Sequence, residues 1–132
     1  MGGDPLMATG KLTRIGRVIQ KNCSSVATTK NAYKKVGSIA IPQSGLYLIN
    51  GHWGWSSGDN IWSVARLTTN STGELPGSIV RHQMASGGGM NTFWMGRLDA
   101  SYGNINFEIY TADASYTTYQ TYLTILCLAE GF

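Results

Sequence analysis

Asn104-Ile105-Asn106-Phe107-Glu108-Ile109 is the stretch that decides the fold. Ile105, Phe107 and Ile109 alternate with Asn104, Asn106 and Glu108, the period-two pattern of a strand with one face in a core and the other toward solvent. Toward the C-terminus, Tyr119 to Leu128 reads as a closing strand. Leu123, Ile125 and Cys127 fall on one of its faces and Tyr122, Leu126 and Leu128 on the other, so both faces are expected to be at least partly covered. Toward the N-terminus, Met90 to Leu98 reads as a strand, and Gly87-Gly88-Gly89 before it as a tight loop, because glycine reaches backbone angles that residues with a Cβ avoid. A phosphate-cradling loop is set aside, since neither the lysine nor the helix it needs follows.

The same rhythm continues outward. Ser78 to Met84 follows a polar loop, Asn70 to Gly77, and Ile61 to Thr69 follows the turn Ser56-Ser57-Gly58-Asp59-Asn60. Leu46 to Trp55 (LYLINGHWGW) is rich in strand formers, and its glycines mark a bulge or a close backbone approach. Tyr33 to Ile41 closes at Pro42-Gln43-Ser44-Gly45, a turn signal, and Leu12 to Gln20 carries Ile15, Val18 and Ile19. No stretch keeps a helical period with caps. About eight short strands without crossover helices must pair antiparallel, which favours an all-β sandwich or jelly roll.

Bulk properties agree. The 132 residues fit one domain, placed at 7–132, with Met1 to Leu6 (MGGDPL) ahead of a second methionine read as an expression leader. Charged residues make up 13% of the chain, about half the usual quarter, yet 42% is apolar, which argues against disorder. Lys11, Arg14, Arg17, Lys21, Lys30, Lys34 and Lys35 precede position 40 against the single acid Asp4. Such an end could face nucleic acid or an acidic membrane, but no helix or arm is visible to enter a groove. Lysines that guard a strand edge are the preferred reading, so no nucleic-acid partner is expected. No apolar run approaches a membrane span, and membrane insertion is not expected. Cys23 and Cys127 lack a CxxC or histidine-bearing motif and read as buried small hydrophobes, with pairing left open.

Catalysis is not expected. A nucleophile mechanism needs a histidine base and an orienting acid, and the only histidines, His52 and His82, lie in no nucleophile motif. Asp59, Asp99, Glu108 and Asp113 could supply paired carboxylates, but their spacing selects no pair. Two histidines without a close third ligand make no metal site, and no cofactor is expected. Binding has better material. His52, Trp53 and Trp55 share one strand, Trp62 follows across the turn, and Tyr116 and Tyr119 sit near the last loop. Aromatic faces stack on sugar rings but also fill cores, and both roles stay open for the tryptophans. Loops at 56–60, 70–74, 86–89 and 113–118 are the expected recognition surfaces at the sandwich ends.

Three segments resemble the globular heads of the C1q and tumour-necrosis-factor superfamily, which are small trimeric jelly rolls. Ile39-Ala40-Ile41-Pro42-Gln43-Ser44-Gly45-Leu46-Tyr47-Leu48-Ile49 looks like the family's strand, Pro-x-x-Gly turn and Tyr-bearing strand. Leu98 to Ile109 is similar to its Leu-x-x-Gly-Asp-x-Val-x-Leu-like stretch, with Asn104 for the usual Asp. Tyr122 to Leu128 resembles its closing strand. Acids that hold calcium in some members have no counterpart, so calcium is not implied. Bacteriophage tail-fibre tips use the same kind of head, and the Gly-, Ser-, Thr- and Asn-rich composition favours that branch. The resemblance implies a homotrimer, with Tyr102, Phe107, Tyr110 and Tyr122 as axis residues. It also implies a non-enzymatic host-attachment head at a virion tail tip, binding a cell-surface glycan or protein receptor. The alternatives are an extracellular C1q-like or cytokine-like ligand, or a domain that only trimerises and caps a fibre.

Overall fold

A computed structural model describes residues 16–56, 61–83 and 87–131. The expected leader, residues 12–15 of the first predicted strand, residues 57–60 of the predicted turn (Asp59 among them) and residues 84–86 lie outside these. Among the described residues the chain forms β1 (Val18–Asn22), β2 (Tyr33–Ala40), β3 (Gly45–Trp55), β4 (Trp62–Thr69), β5 (Gly73–Glu74), β6 (Val80–Gln83), β7 (Gly88–Leu98), a 3-10 turn (Ala100–Tyr102), β8 (Asn104–Thr111) and β9 (Tyr122–Glu130).

Pairing is nested around the middle of the chain: β4 with β6, β3 with β7, β2 with β8 and β1 with β9, all antiparallel. A ribbon folded back on itself in this way and wrapped round a core is a jelly roll. Wrapping adds the contacts β3 with β9 and β4 with β8, which close two sheets, β1-β9-β3-β7 and β2-β8-β4-β5, with β6 also on β4. The protein is thus an all-β antiparallel jelly-roll sandwich. Its last strand is not peripheral: β9 lies inside its sheet, between β1 and β3. Lys21 on β1 and Lys34 and Lys35 on β2 are exposed on strands that bound the two sheets, where lysine opposes edge pairing.

Alternation sets what each strand buries. Ile105, Phe107 and Ile109 point inward from β8, and Tyr47, Ile49, Trp53 and Trp55 meet them from β3. Burying a side chain of this size stabilises the fold by roughly 1.5–3 kcal/mol. The two sheets are in close contact at Gly51, where a Cβ would come within 2.8 Å of the Phe107 ring. Only glycine lets that ring reach the backbone of β3.

Three expectations are corrected. Gly88 and Gly89 belong to β7, paired with Trp55 and Gly54; at Gly88 a Cβ would lie 3.1 Å from the Trp55 ring, a tight contact that glycine avoids. Phe107 is fully buried between the sheets and cannot line a subunit axis. Tyr110 and Tyr122 lie on opposite outer faces, and Tyr102 packs at one end of the sandwich, so the four residues proposed for an axis form no common surface. Of the two roles left open for the tryptophans, Trp53 and Trp55 take the core one, exposed by 0% and 3%; as buried residues they present no open binding face.

Both cysteines are free and buried. The amide of Cys23 donates to Thr121, which places Cys127 six residues further along β9. At about 3.3 Å per strand residue the two are roughly 20 Å apart, beyond the ~7 Å limit for a bridge. Burial also pushes the Cys23 thiol up, against weaker opposing pulls from a Leu123 backbone hydrogen bond and Lys21. We expect Ellman's reagent to label neither thiol within minutes in the native domain and both in guanidinium chloride. Rapid native labelling, or fewer than two thiols after unfolding, would contradict this placement.

Candidate functional site

One end of the sandwich carries the last residues of β3 with Ser56, the first residues of β7 with Gly87, and the segment that enters β9. Between them lies an open groove of about 490 Å³, lined by His52, Gly54, Trp55, Ser56, Gly87 to Gly89, Tyr119 and Gln120. Its floor is backbone. A Cβ on Gly88 would lie 3.1 Å from the Trp55 ring and one on Gly89 3.0 Å from His52 Nε2, so glycine is what keeps the floor low against both rings.

Its wall is Tyr119, half exposed and tied by its amide to the Gly54 carbonyl at 3.0 Å. Gln120 adopts a left-handed backbone, φ 48°. Its carbonyl oxygen meets His52 Nδ1 at 2.8 Å. A carbonyl only accepts, so Nδ1 carries the proton, and Nε2, which accepts whenever the ring is uncharged, lies beside Gly89. Thr121 locks the arrangement: its hydroxyl accepts from the Gly54 amide at 3.1 Å, and its amide donates to Ser24 at 2.9 Å. The groove therefore offers an exposed aromatic face, a hydrogen-bond acceptor and a backbone floor. That set suits a flat, polyhydroxylated ligand.

Of the six residues singled out from sequence, His52, Trp55 and Tyr119 meet at this groove, with Trp55 serving as buried support. Trp53 stacks on Trp55 inside the core, ring centroids 5.5 Å apart. Trp62 is exposed but stands on the outer face of the other sheet, opposite Gln83. Tyr116 is turned inward, its hydroxyl buried, and the predicted recognition loop around it is laced to residues 23–31 through Thr28, Thr118 and Asn31. His82 stacks on Trp55 at 5.4 Å and is thereby a packing residue. Of the loops expected to carry recognition, the one at 70–74 sits at the opposite end of the sandwich, beside the 3-10 turn.

Sequence reasoning missed Gln120 and the glycine floor. The triple glycine was the available signal for the floor; a left-handed glutamine leaves none. Among the described candidates for paired carboxylates, Asp99 caps the 3-10 turn, where the Ser101 amide and then the Ser101 and Ser44 side chains hold its carboxyl below the usual range. Asp113 lies in a turn bonded to Asn31.

Burial pushes the Tyr116 phenol up to about 12, outweighing the pull of Ser63 and Trp53 in the other direction. In the unfolded chain it ionises near 10. The neutral form is therefore favoured in the folded state, and its stability contribution is intact below about pH 10 and lost as pH rises toward about 12. Absorbance at 295 nm is expected to show one tyrosine ionising about two pH units late, absent in Tyr116→Phe. A normal titration of that tyrosine would show the hydroxyl to be solvated.

No protein-family model and no curated protein matches the chain. Solved structures do. The infectious bursal disease virus VP2 subviral particle aligns with a TM-score of 0.57 at 10% identity, over 85% of this chain and 32% of that one. T=1 particles derived from the same virus align at 0.57 and 11%, again over 85% and 32%. The Gx strain of that virus aligns at 0.55 and 12%, over 83% and 32%. This chain spans about a third of the length of each. At these identities the likeness is one of fold alone.

Proposed function

We propose that the domain is a non-enzymatic attachment module of a virus particle, carried at a receptor-facing position such as a tail-fibre tip, that binds cell-surface glycan in the groove at the β3–β7 end. The observation that carries this reading is the convergence of the exposed Tyr119 ring and the free His52 Nε2 over a glycine floor. Sugars present an apolar C–H face to an aromatic ring and hydroxyls to acceptors, and the groove supplies both. Likeness to virus-particle jelly rolls supports the virion setting.

Single saccharide sites are weak, and copies in one assembly raise the avidity. The outer face of β1-β9-β3-β7 supports self-association. Val18, Leu126, Leu48 and Met95 stand in register as one apolar row across all four strands, with Phe93 beside it. Met95 is 63% exposed and Phe93 60%, and no charge interrupts the row. A contiguous apolar patch of this kind is the mark of an interface. We assign the trimer contact to this face, with Tyr122 at its margin, in place of a contact through Phe107 and Tyr110. The same face favours the second reading, a domain that trimerises and caps a fibre without binding a receptor.

Two measurements test these readings. On a glycan array the domain is expected to bind a restricted set of glycans, and Tyr119→Ala to reduce binding at least tenfold with unchanged thermal stability. An empty array, or a variant that binds as well as the parent, removes the groove from consideration. Light scattering at micromolar concentration is expected to give a trimer mass, and Met95→Glu a monomer. A monomeric parent would refute the self-association.

A further inference from the structure

Gln120, in the segment that enters β9, holds a left-handed backbone conformation, φ 48°. The other non-glycine residues that do so among those described are Ser25, Asn31 and Asp113. Those are short polar types, whose side chains can bond the backbone beside them and offset the strain. Glutamine carries its amide one methylene further out and lacks that compensation. A residue strained in this way persists only where its surroundings over-determine it, and such residues cluster at sites that grip a ligand.

The surroundings of Gln120 do over-determine it. Before it, the Tyr119 amide donates to the Gly54 carbonyl at 3.0 Å, and the Tyr119 carbonyl accepts from the Thr121 hydroxyl at 3.1 Å. After it, the Thr121 amide donates to Ser24 at 2.9 Å. On β3 nothing stands in the way, since a Cβ at Gly54 would collide with the Tyr119 carbonyl oxygen. Clamped on both sides, Gln120 turns its own carbonyl to His52 Nδ1 at 2.8 Å.

Placing that carbonyl is a task for backbone alone. Glycine would perform it without strain, because it has no Cβ to crowd the left-handed region. What glycine would not supply is the side chain. Gln120 is exposed and lines the groove beside Tyr119, and among the described residues its side-chain amide has no hydrogen-bond partner. A carboxamide offers donors and an acceptor in one plane, which matches neighbouring hydroxyls on a sugar ring, each able to donate and accept. None of the described groove residues is an acid, a lysine or an arginine, so the lining does not select for a charged sugar.

Resting on the reading of the groove as a saccharide site, we infer that Gln120 is its specificity-determining residue, the amide bonding adjacent hydroxyls of an uncharged sugar whose ring lies on Tyr119. Stacking on an aromatic face is tolerant of which way one hydroxyl points. The amide is not: a group placed to bond a hydroxyl discriminates against the sugar that presents it in another direction. Tyr119 thus sets how tightly any sugar is held, and Gln120 sets which.

The test is ¹H–¹⁵N NMR titration of the intact domain with the methyl glycosides of glucose, galactose and mannose, the last two each differing from glucose in the direction of a single hydroxyl. The parent is expected to prefer one of them by about tenfold, and Gln120→Ala and Gln120→Gly to bring the three affinities to within about twofold of one another. Tyr119→Ala should weaken all three alike. Gln120→Gly should also melt higher than Gln120→Ala, since only glycine is unstrained at this φ. A parent without preference, or alanine and glycine variants with the parental preference, would overturn the inference and leave the groove reading intact. A glycine variant that melts no higher than the alanine one would show that the left-handed backbone costs nothing there, which overturns it too. A parent that responds to none of the three sugars would remove the groove reading and this inference together.

Discussion

The seating of the Phe107 ring on Gly51 is the contact on which the rest of the sandwich depends. It fixes how closely β8 approaches β3, and alternation then dictates both faces of each strand. On β3, Tyr47, Ile49, Trp53 and Trp55 share the inward parity of Gly51, while Leu48, Asn50 and His52 are sent outward. One contact between the sheets thus determines that tryptophan supports the groove from beneath, that histidine reaches its surface, and that Leu48 joins an exposed apolar row. A shift of β3 by one residue would exchange these roles.

Much of this was legible because strand parity is a local property. Asn104 to Ile109 declared its inward face correctly, although Asn106 on the outer face is buried as well, and the bounds of β2, β3 and β4 fell within about one residue of the runs read from composition. The same parity, extended from Tyr47 and Ile49, decides which of the two roles left open Trp53 and Trp55 take: both fall on the inward face. Other features were hidden because their partners are distant in the chain. Gln120 meets His52 across 68 positions and Glu108 meets Arg66 across 42, and no local pattern marks either pair. Nested pairing makes such distances the rule in this fold. It also places the fold among topologies whose contacts form late and slowly.

Polar residues here do structural tasks that their exposure in sequence conceals. Thr28, Thr118 and Thr121 are buried and each bonds across to a distant segment, which converts the connection between β8 and β9 from a free loop into a strap. Tyr116 spends its ring on that strap. The half-exposed Tyr119, three residues on, is free to face solvent because the strap already holds the backbone on either side of it.

The glycine floor of the groove has an evolutionary consequence. Backbone atoms do not mutate, so a surface made of them keeps its shape while the residues around it drift. A Cβ added at Gly88 or Gly89 would lie 3.1 Å from the Trp55 ring or 3.0 Å from His52 Nε2, so a ring would have to shift before a side chain fitted there. Change in the shape of the groove is therefore channelled to its rim, at Tyr119 and its neighbours.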